Sequence, residues 1–239
     1  MNHNPSPLPT RTVYCADAIE WLQSDDSVSA CRDASLVTSL PDISEFPNYT
    51  LAQWKEWFIA TAALVLSRTP DHGVAIFYQS DIKIDGTWVD KGYLCQKSAE
   101  STGHELLWHK IACRVKPGQV TFGRPAYSHV LCFSKKVRVE PGASTMDVLP
   151  ELGEQVWERG MGLEACLLIC NFIIERANTR TIVNPFSGHG SVLAAANATG
   201  LSAIGIERSP KRTQLAQELK LDFNLKRWIK PSENASHIL

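Results

Sequence analysis

The stretch Thr181–Glu207, TIVNPFSGHGSVLAAANATGLSAIGIE, decides the predicted fold. An apolar run of strand type leads into a turn with Gly188 and Gly190, and a helix follows that ends at Gly200. A second apolar run then carries Glu207 at its end, about twenty residues after the turn. In a strand-turn-helix-strand unit with this spacing, the turn lets the backbone approach a nucleoside-type ligand, and the acid accepts hydrogen bonds from its ribose.

Two other interpretations of this unit stay open at the level of the sequence. A strand, a turn and a helix of ordinary composition need no ligand at all. A dinucleotide such as NAD or FAD is less favoured, because the third glycine of the dinucleotide fingerprint is missing.

Elsewhere in the chain, apolar runs of strand type alternate with segments of helical spacing. This alternation predicts an α/β fold with a mostly parallel, doubly wound sheet. Two successive strand-like runs after residue 105, ELLWHKIACRV and YSHVLCFSKK, predict an antiparallel edge strand. One domain is predicted over residues 11–225, between a disordered tail at 1–10 and a C-terminal tail at 226–239.

The composition indicates the cellular compartment and the classes of partner to be expected. Its 239 residues are 44% hydrophobic, and the net charge of −1 leaves no global basic field to attract polyanions. Seven cysteines without a C-x-x-C pair favour a reducing, cytoplasmic compartment. No apolar run is long enough to cross a bilayer, so no membrane partner is predicted. No metal site is predicted either.

The segment NPFSGHGS at 184–191, followed by GIE at 205–207, resembles the cofactor motif of the permuted, beta-group amino-methyltransferases. The resemblance implies S-adenosyl-L-methionine as the cofactor. It also implies a Rossmann-like class I methyltransferase fold with a circularly permuted motif order, in which the catalytic motif comes first and the cofactor motif last. The residues that it assigns to cofactor binding are Asp17, Ser39, Pro185, Phe186, Ser187, Gly188, Gly190, Ser191 and Glu207.

The tetrad Ser39-Leu40-Pro41-Asp42 stands where the family carries its catalytic motif, but it departs from the family pattern. In the family, the first side chain and the next backbone carbonyl accept hydrogen bonds from a substrate NH2 group, and an aromatic fourth residue stacks on the base. Ser39 and the Leu40 carbonyl retain the acceptors, whereas Asp42 cannot stack and is interpreted as a general base. The alternative is a strand that simply stops at Pro41. Either Phe46 or Tyr49 is a candidate stacking ring, and local packing is the alternative for both.

The polar segment YQSDIKIDGTWVDKGYL at 78–94 follows another predicted strand, so it is expected at the ligand-binding edge of the sheet. Asp81 is therefore grouped with Ser39, Pro41 and Asp42 as catalytic. Substrate contacts are predicted for Phe46, Lys83, Trp88, Lys91 and Arg124, through stacking or through phosphates. A solvated loop with a buried tryptophan is the other interpretation.

The predicted function is an S-adenosyl-L-methionine-dependent methyltransferase acting on nucleic acid. RNA, either tRNA or rRNA, is favoured over DNA, because the chain leaves little room for a separate target-recognition domain. The alternatives are a DNA adenine or cytosine amino-methyltransferase, a small-molecule or protein methyltransferase, and a catalytically inactive scaffold subunit. A homodimer or a partner subunit stays open.

Overall fold

The computed structural model describes residues 8–231. Most of the predicted N-terminal tail and the end of the predicted C-terminal tail lie outside this range. Thr10 is already part of the fold, because its backbone N–H donates to the Ser202 hydroxyl at 3.1 Å and its carbonyl accepts from the Ala203 N–H. Among residues 8–231, no helix is both long and apolar enough to span a bilayer.

The chain forms twelve strands and seven helices within that range. The strands are β1 Arg11–Cys15, β2 Ala34–Thr38, β3 Ala75–Gln79, β4 Ile82–Ile84, β5 Thr87–Val89, β6 Glu105–Cys113, β7 Tyr127–Ser134, β8 Val148–Leu149, β9 Thr181–Asn184, β10 Ser202–Glu207, β11 Lys220–Asp222 and β12 Arg227–Ile229. The helices are α1 Ala18–Gln23, α2 Asp25–Cys31, α3 Leu51–Arg68, α4 Lys91–Thr102, α5 Leu163–Arg176, α6 Ser191–Ala198 and α7 Pro210–Glu218.

Eight strands form one sheet in the order β1-β10-β9-β2-β3-β7-β6-β8. Neighbouring strands run parallel except at β7, which is antiparallel to both β3 and β6. The mostly parallel, doubly wound sheet is therefore confirmed. The antiparallel strand is internal, however, because β6 lies beyond it and the short strand β8 adds to β6 in parallel.

Helices cover both faces of this sheet, and the alternation of side chains along each strand supplies both cores. In β2, Leu36 packs toward α1 to α4, whereas Val37 packs toward α5 to α7. The first core is aromatic-rich, with Trp54 and Phe58 of α3 fully buried. Thr50 caps α3 through a capping box with Gln53.

Two regions of the chain differ from the sequence prediction. The polar segment after β3 folds into the β4–β5 hairpin and then α4 instead of an open loop. Its Asp85-Gly86 turn has φ values of 49° and 74°, the left-handed geometry that such a pair favours in a hairpin.

The predicted domain boundary at residue 225 is also wrong, since it falls inside the β11–β12 hairpin. Trp228 of β12 is buried in the core of the α5 to α7 face. Its indole N–H donates to the Glu154 carbonyl at 2.9 Å. The domain therefore continues at least through Ile229.

Candidate active site

The strand order reverses between β9 and β2, and this reversal positions the site. From β9 the chain proceeds to β10 on one side, and from β2 it proceeds to β3 on the other. In open α/β sheets, ligands bind beyond the carboxyl ends of the strands at such a point. The predicted cofactor turn after β9 and the predicted catalytic tetrad after β2 are thus brought together at one edge.

The turn after β9 uses its two glycines for different purposes. Gly188 has φ of 54°, and a Cβ built on it would meet no atom within 4 Å. Gly190 has φ of 82°, but its Cβ would lie 2.6 Å from the Ala216 Cα of α7. Gly188 therefore leaves an open face for a ligand, whereas Gly190 allows close packing between the turn and α7.

The remaining residues of this turn fix its shape from inside the protein. The Asn184 side-chain oxygen accepts from the Phe186 N–H at 3.2 Å, and the Ser187 hydroxyl donates to the Ile206 carbonyl at 3.1 Å. Pro185, Ser187 and Ser191 are buried. These contacts tie the end of β9 to β10, so these side chains shape the turn.

Glu207 ends β10 beside this turn and is 8% exposed. One carboxylate oxygen, Oε1, accepts from the Ser209 N–H at 2.8 Å. In residues 8–231, the other oxygen takes no hydrogen bond and is free for a ligand. The carboxylate is thus held in the crevice and does not turn outward into solvent.

Two further polar groups border the turn. Asp17, at the end of β1, caps α1 by accepting from the N–H groups of Ile19 and Glu20, and its side chain remains exposed. His189, inside the turn, has a buried Nδ1 that finds no hydrogen-bond partner among the described residues. The His189 ring lies 5.1 Å from the ring of Trp157. Burial lowers the pKa of His189, helped by Arg212 and Lys230, which favours the neutral imidazole.

These features fit an S-adenosyl-L-methionine-sized nucleoside cofactor. The open face at Gly188 would admit it, the free oxygen of Glu207 would accept from its ribose, and the buried Nδ1 of His189 is a further polar atom of the turn without a partner among the described residues.

The predicted catalytic tetrad follows β2, and its four residues differ in environment. Ser39 is exposed, and within residues 8–231 neither its hydroxyl nor the Leu40 carbonyl is used in a hydrogen bond. The Pro41 carbonyl accepts from the Trp54 indole at 3.4 Å. The hydrogen-bond acceptors that the resemblance assigns to Ser39 and Leu40 are therefore free.

Asp42 is bonded inside the protein. Its Oδ2 lies 3.0 Å from the Nζ of Lys91, whose side chain is 4% exposed. Its Oδ1 caps the single 3-10 turn Ile43–Glu45. The expectation that Lys91 contacts a phosphate is wrong, because this amine is buried in the pair. Both carboxylate oxygens of Asp42 thus take hydrogen bonds inside the protein, and its role as a general base stays a prediction.

Asp81, just beyond β3, is 3% exposed and accepts three hydrogen bonds. The donors are the Lys91 N–H at 2.8 Å, the Trp88 indole at 3.0 Å and the His129 Nε2 at 2.9 Å. Burial raises the pKa of Asp81, but the bonds from His129, the Lys91 N–H and Trp88 outweigh burial, so the pKa is lowered. Asp81 is therefore an ionised anchor of this network, and its role as a catalytic group remains a prediction.

Neither His129 nor His109 was predicted from the sequence as part of this network. His129 Nδ1 lies 2.8 Å from the Nε2 of His109, so the two rings extend the network from Asp81 toward the surface. His129 pairs with Gln79 at the end of β3. Nothing in the local pattern of YSHVLCFSKK points to this contact, because it depends on β7 lying beside β3.

Asp81, Asp90 and His129 also bring one ligand-type atom each within 4.8 Å of one another. Asp81 and His129 are bonded to each other, and Asp90 caps α4 by accepting from the Tyr93 N–H at 2.8 Å. These atoms thus already serve internal hydrogen bonds. The absence of a metal site stays a prediction.

An aromatic cluster connects the two halves of the edge. The Phe46 ring lies 5.1 Å from Tyr49 and 4.5 Å from Trp57, and Trp57 lies 6.4 Å from Phe186 of the glycine turn. Tyr49 is 44% exposed, so its ring is accessible to a base. Trp57 was not predicted as a site residue, although its ring contacts both Phe46, close to the tetrad, and Phe186 of the glycine turn.

The other predicted substrate residues lie in two separate places. Lys83 and Trp88 pair on the β4–β5 hairpin, with the ammonium 4.8 Å from the ring centroid. Arg124 lies in the loop between β6 and β7, 3.9 Å from Glu158. Their roles in binding stay predictions.

Several solved structures share this fold. The candidate DNA modification methylase TTHA0409 of Thermus thermophilus, complexed with S-adenosyl-L-methionine, superposes with a TM-score of 0.64 at 19% identity, covering 87% of this chain and 92% of that one. The complex of M1.HpyAVI with SAM gives 0.59 at 18% identity, with 87% and 98% covered. PvuII DNA methyltransferase, described as cytosine-N4-specific, gives 0.63 at 16% identity, with 87% and 86% covered.

In sequence, the chain matches no known protein family and no curated protein. At the identities of the solved structures, the likeness establishes the fold. The chain thus has the class I methyltransferase fold, in which β9 and β10 are internal strands of the sheet although they come last among its strands in the chain.

Proposed function

We propose that this protein is an S-adenosyl-L-methionine-dependent methyltransferase that modifies an amino group of a base in DNA. One observation carries the proposal. At the strand-order reversal, a glycine turn with an open face and a buried acid with a free oxygen lie beside Ser39 and the Leu40 carbonyl, two unused acceptors.

The β9 and β10 ends hold the cofactor, which supplies an electrophilic methyl group when bound. Gly188 admits its close approach, and Glu207 binds its ribose hydroxyls. Asp17, at the end of the adjacent strand β1, is suited to the adenine end. Pro185, Phe186, Ser187, Gly190 and Ser191 keep the turn in shape.

The β2 end holds the acceptor. Ser39 and the Leu40 carbonyl accept hydrogen bonds from an amino group and thereby orient its nitrogen toward the methyl group. Asp42 and Lys91 fix the tetrad from below through their ion pair. Tyr49 and Phe46 replace the missing aromatic of the tetrad by stacking on the base.

DNA is favoured over RNA by the comparisons. RNA was favoured in the sequence analysis because residues 80–162 leave little room for a recognition domain. The solved structures named as DNA methylases are nearly as short, since 86% to 98% of each is covered by this fold. A short chain is therefore no argument against DNA.

The test uses the full chain with methyl-labelled S-adenosyl-L-methionine, unmethylated duplex DNA and total RNA. Transfer to DNA, with N-methylated adenine or cytosine in the nucleoside analysis, is expected. The variant Ser39→Ala should lose most of the transfer, because it removes an acceptor for the substrate amino group, while Gly188 and Glu207 still bind the cofactor.

Three outcomes would contradict the proposal in different ways. Transfer to RNA alone would restore the RNA interpretation. Cofactor binding without transfer to either polymer would indicate a scaffold subunit. Failure to bind the cofactor would remove the methyltransferase assignment itself.

A further inference from the structure

The loop between β6 and β7, residues 114–126, is ordered by its own contacts. At its base, the Arg114 N–H donates to the Ala126 carbonyl at 2.7 Å. At its tip, the Thr121 hydroxyl donates to the Arg124 carbonyl at 2.7 Å, and Gly123 has φ of 79°. These contacts therefore fix the backbone on either side of Phe122.

The tip is apolar, and the loop that carries it is basic. Phe122 is 92% exposed and Val120 is 79% exposed, although apolar side chains of this size gain free energy from burial. The loop sequence RVKPGQVTFGRPA contains Arg114, Lys116 and Arg124 and no acidic residue. A partner that covers this tip must offer an apolar slot between negative charges, which is the chemistry of a base stack flanked by phosphates.

The loop stands at the mouth of the candidate active site. On one side, Arg114 Nη1 lies 3.3 Å from the hydroxyl of Ser80, the residue before Asp81. On the other side, Arg124 pairs with Glu158, next to the Trp157 ring that contacts His189 of the glycine turn. Within the loop, Phe122 and the two arginines line an open cavity of about 540 Å³, to which only loop residues contribute.

We propose that the β6–β7 loop is a wedge that opens duplex DNA: Phe122 enters the base stack at the position that the target base leaves. Arg114, Lys116 and Arg124 contact the flanking phosphates and set the depth of insertion. This inference rests on the proposed function, since a base inside a duplex is out of reach of Ser39 until it is extruded. The inserted ring replaces the stacking contacts that the duplex loses with the target base, and it occupies the position to which that base would return.

The experiment compares native and heat-denatured unmethylated DNA as substrates of the full chain. Phe122→Ala should lower kcat/KM for native DNA about ten-fold, the size expected for one lost base-aromatic stack. Denatured DNA needs no opening, so its kcat/KM should fall far less. Phe122→Trp restores an aromatic wedge and should recover the native-to-denatured ratio.

The matched control is Phe223→Ala on the β11–β12 hairpin, another exposed phenylalanine, which should leave both substrates unaffected. Binding of labelled cofactor verifies that each variant is folded. If Phe122→Ala left the native-to-denatured ratio unchanged, whether by sparing both substrates or by slowing both equally, the wedge would be refuted while the proposed function stood. If the wild type bound cofactor but transferred to neither DNA, the proposed function would fail, and the wedge with it.

Discussion

The sheet edge has two halves: the cofactor half, at the ends of β9 and β10, and the target half, at the ends of β2 and β3. The two halves differ in whether their polar groups are free or bonded inside the protein. In the cofactor half, Gly188 faces open space and Glu207 keeps one free oxygen. In the target half, Asp42, Lys91 and Asp81 are bonded internally. The difference indicates that the charged groups form an internally bonded floor of the target half, whereas the Ser39 hydroxyl and the Leu40 carbonyl take no hydrogen bond within residues 8–231.

In the target half, Asp81→Asn should lower the free energy of unfolding most. The change leaves His129 and the Trp88 indole facing an amide in place of a carboxylate, which costs about 3 kcal/mol of unfolding free energy. Since the pKa of Asp81 lies below its ordinary 3.8 in the folded protein, its contribution is complete above about pH 4 and is lost as the pH falls through the lowered pKa. Urea unfolding at pH 7 and in acid measures both effects.

The control for this prediction is Asp85→Asn in the exposed turn of the β4–β5 hairpin, which asparagine suits equally well. The variant should lose little stability at pH 7. If Asp81→Asn lost as little stability as this control, the buried carboxylate would not stabilise the floor.

Within the cofactor half, the two glycines should separate stability from binding. Gly190→Ala forces a Cβ against Ala216 in a left-handed conformation and should cost about 3 kcal/mol. Gly188→Ala should cost about 1 kcal/mol for its backbone conformation and mainly weaken cofactor binding. Thermal unfolding and binding of labelled cofactor measure the two quantities. Equal losses of stability would refute the distinct roles.

Glu207→Gln should weaken cofactor binding with little change in stability. The amide oxygen can still accept from the Ser209 N–H, but the charge-assisted bonds to the ribose are lost, and the affinity falls about 10-fold to 100-fold. Calorimetric titration measures the change. Glu218→Gln, on the exposed side of α7, is the control and should bind normally.

The Asp42–Lys91 pair should give the smallest effect, although it lies at the catalytic tetrad. A double-mutant cycle with Asp42→Asn and Lys91→Met is expected to show a coupling of about 1 kcal/mol, because Asp42 is one-third exposed and partly screened by solvent. The exposed pair of Asp71 and Lys136 is the reference and should couple more weakly. A cycle with no coupling would mean that Lys91 does not fix the tetrad.

The local sequence pattern is enough to predict some elements of the fold and not others. The β9-turn-α6-β10 unit was predicted correctly because glycine conformation and apolar periodicity depend on neighbouring residues. Helix α4 and strand β8 were missed, since KGYLCQKSAEST carries a weak periodicity and β8 has only two residues. The Asp85-Gly86 pair did signal a hairpin, but its flanking strands are three residues each, too short to stand out among polar neighbours.

The sequence by itself determined the alternation of the main strands and helices, the glycine turn and the acid that follows it, because each of these features depends on residues close together in the chain. Only the tertiary structure decided that Lys91 pairs with Asp42, 49 residues away, and that His129 meets Asp81 across 48 residues. Such contacts depend on which strands lie side by side. Strand order follows from the burial of the whole sheet, and no single segment of the sequence specifies it.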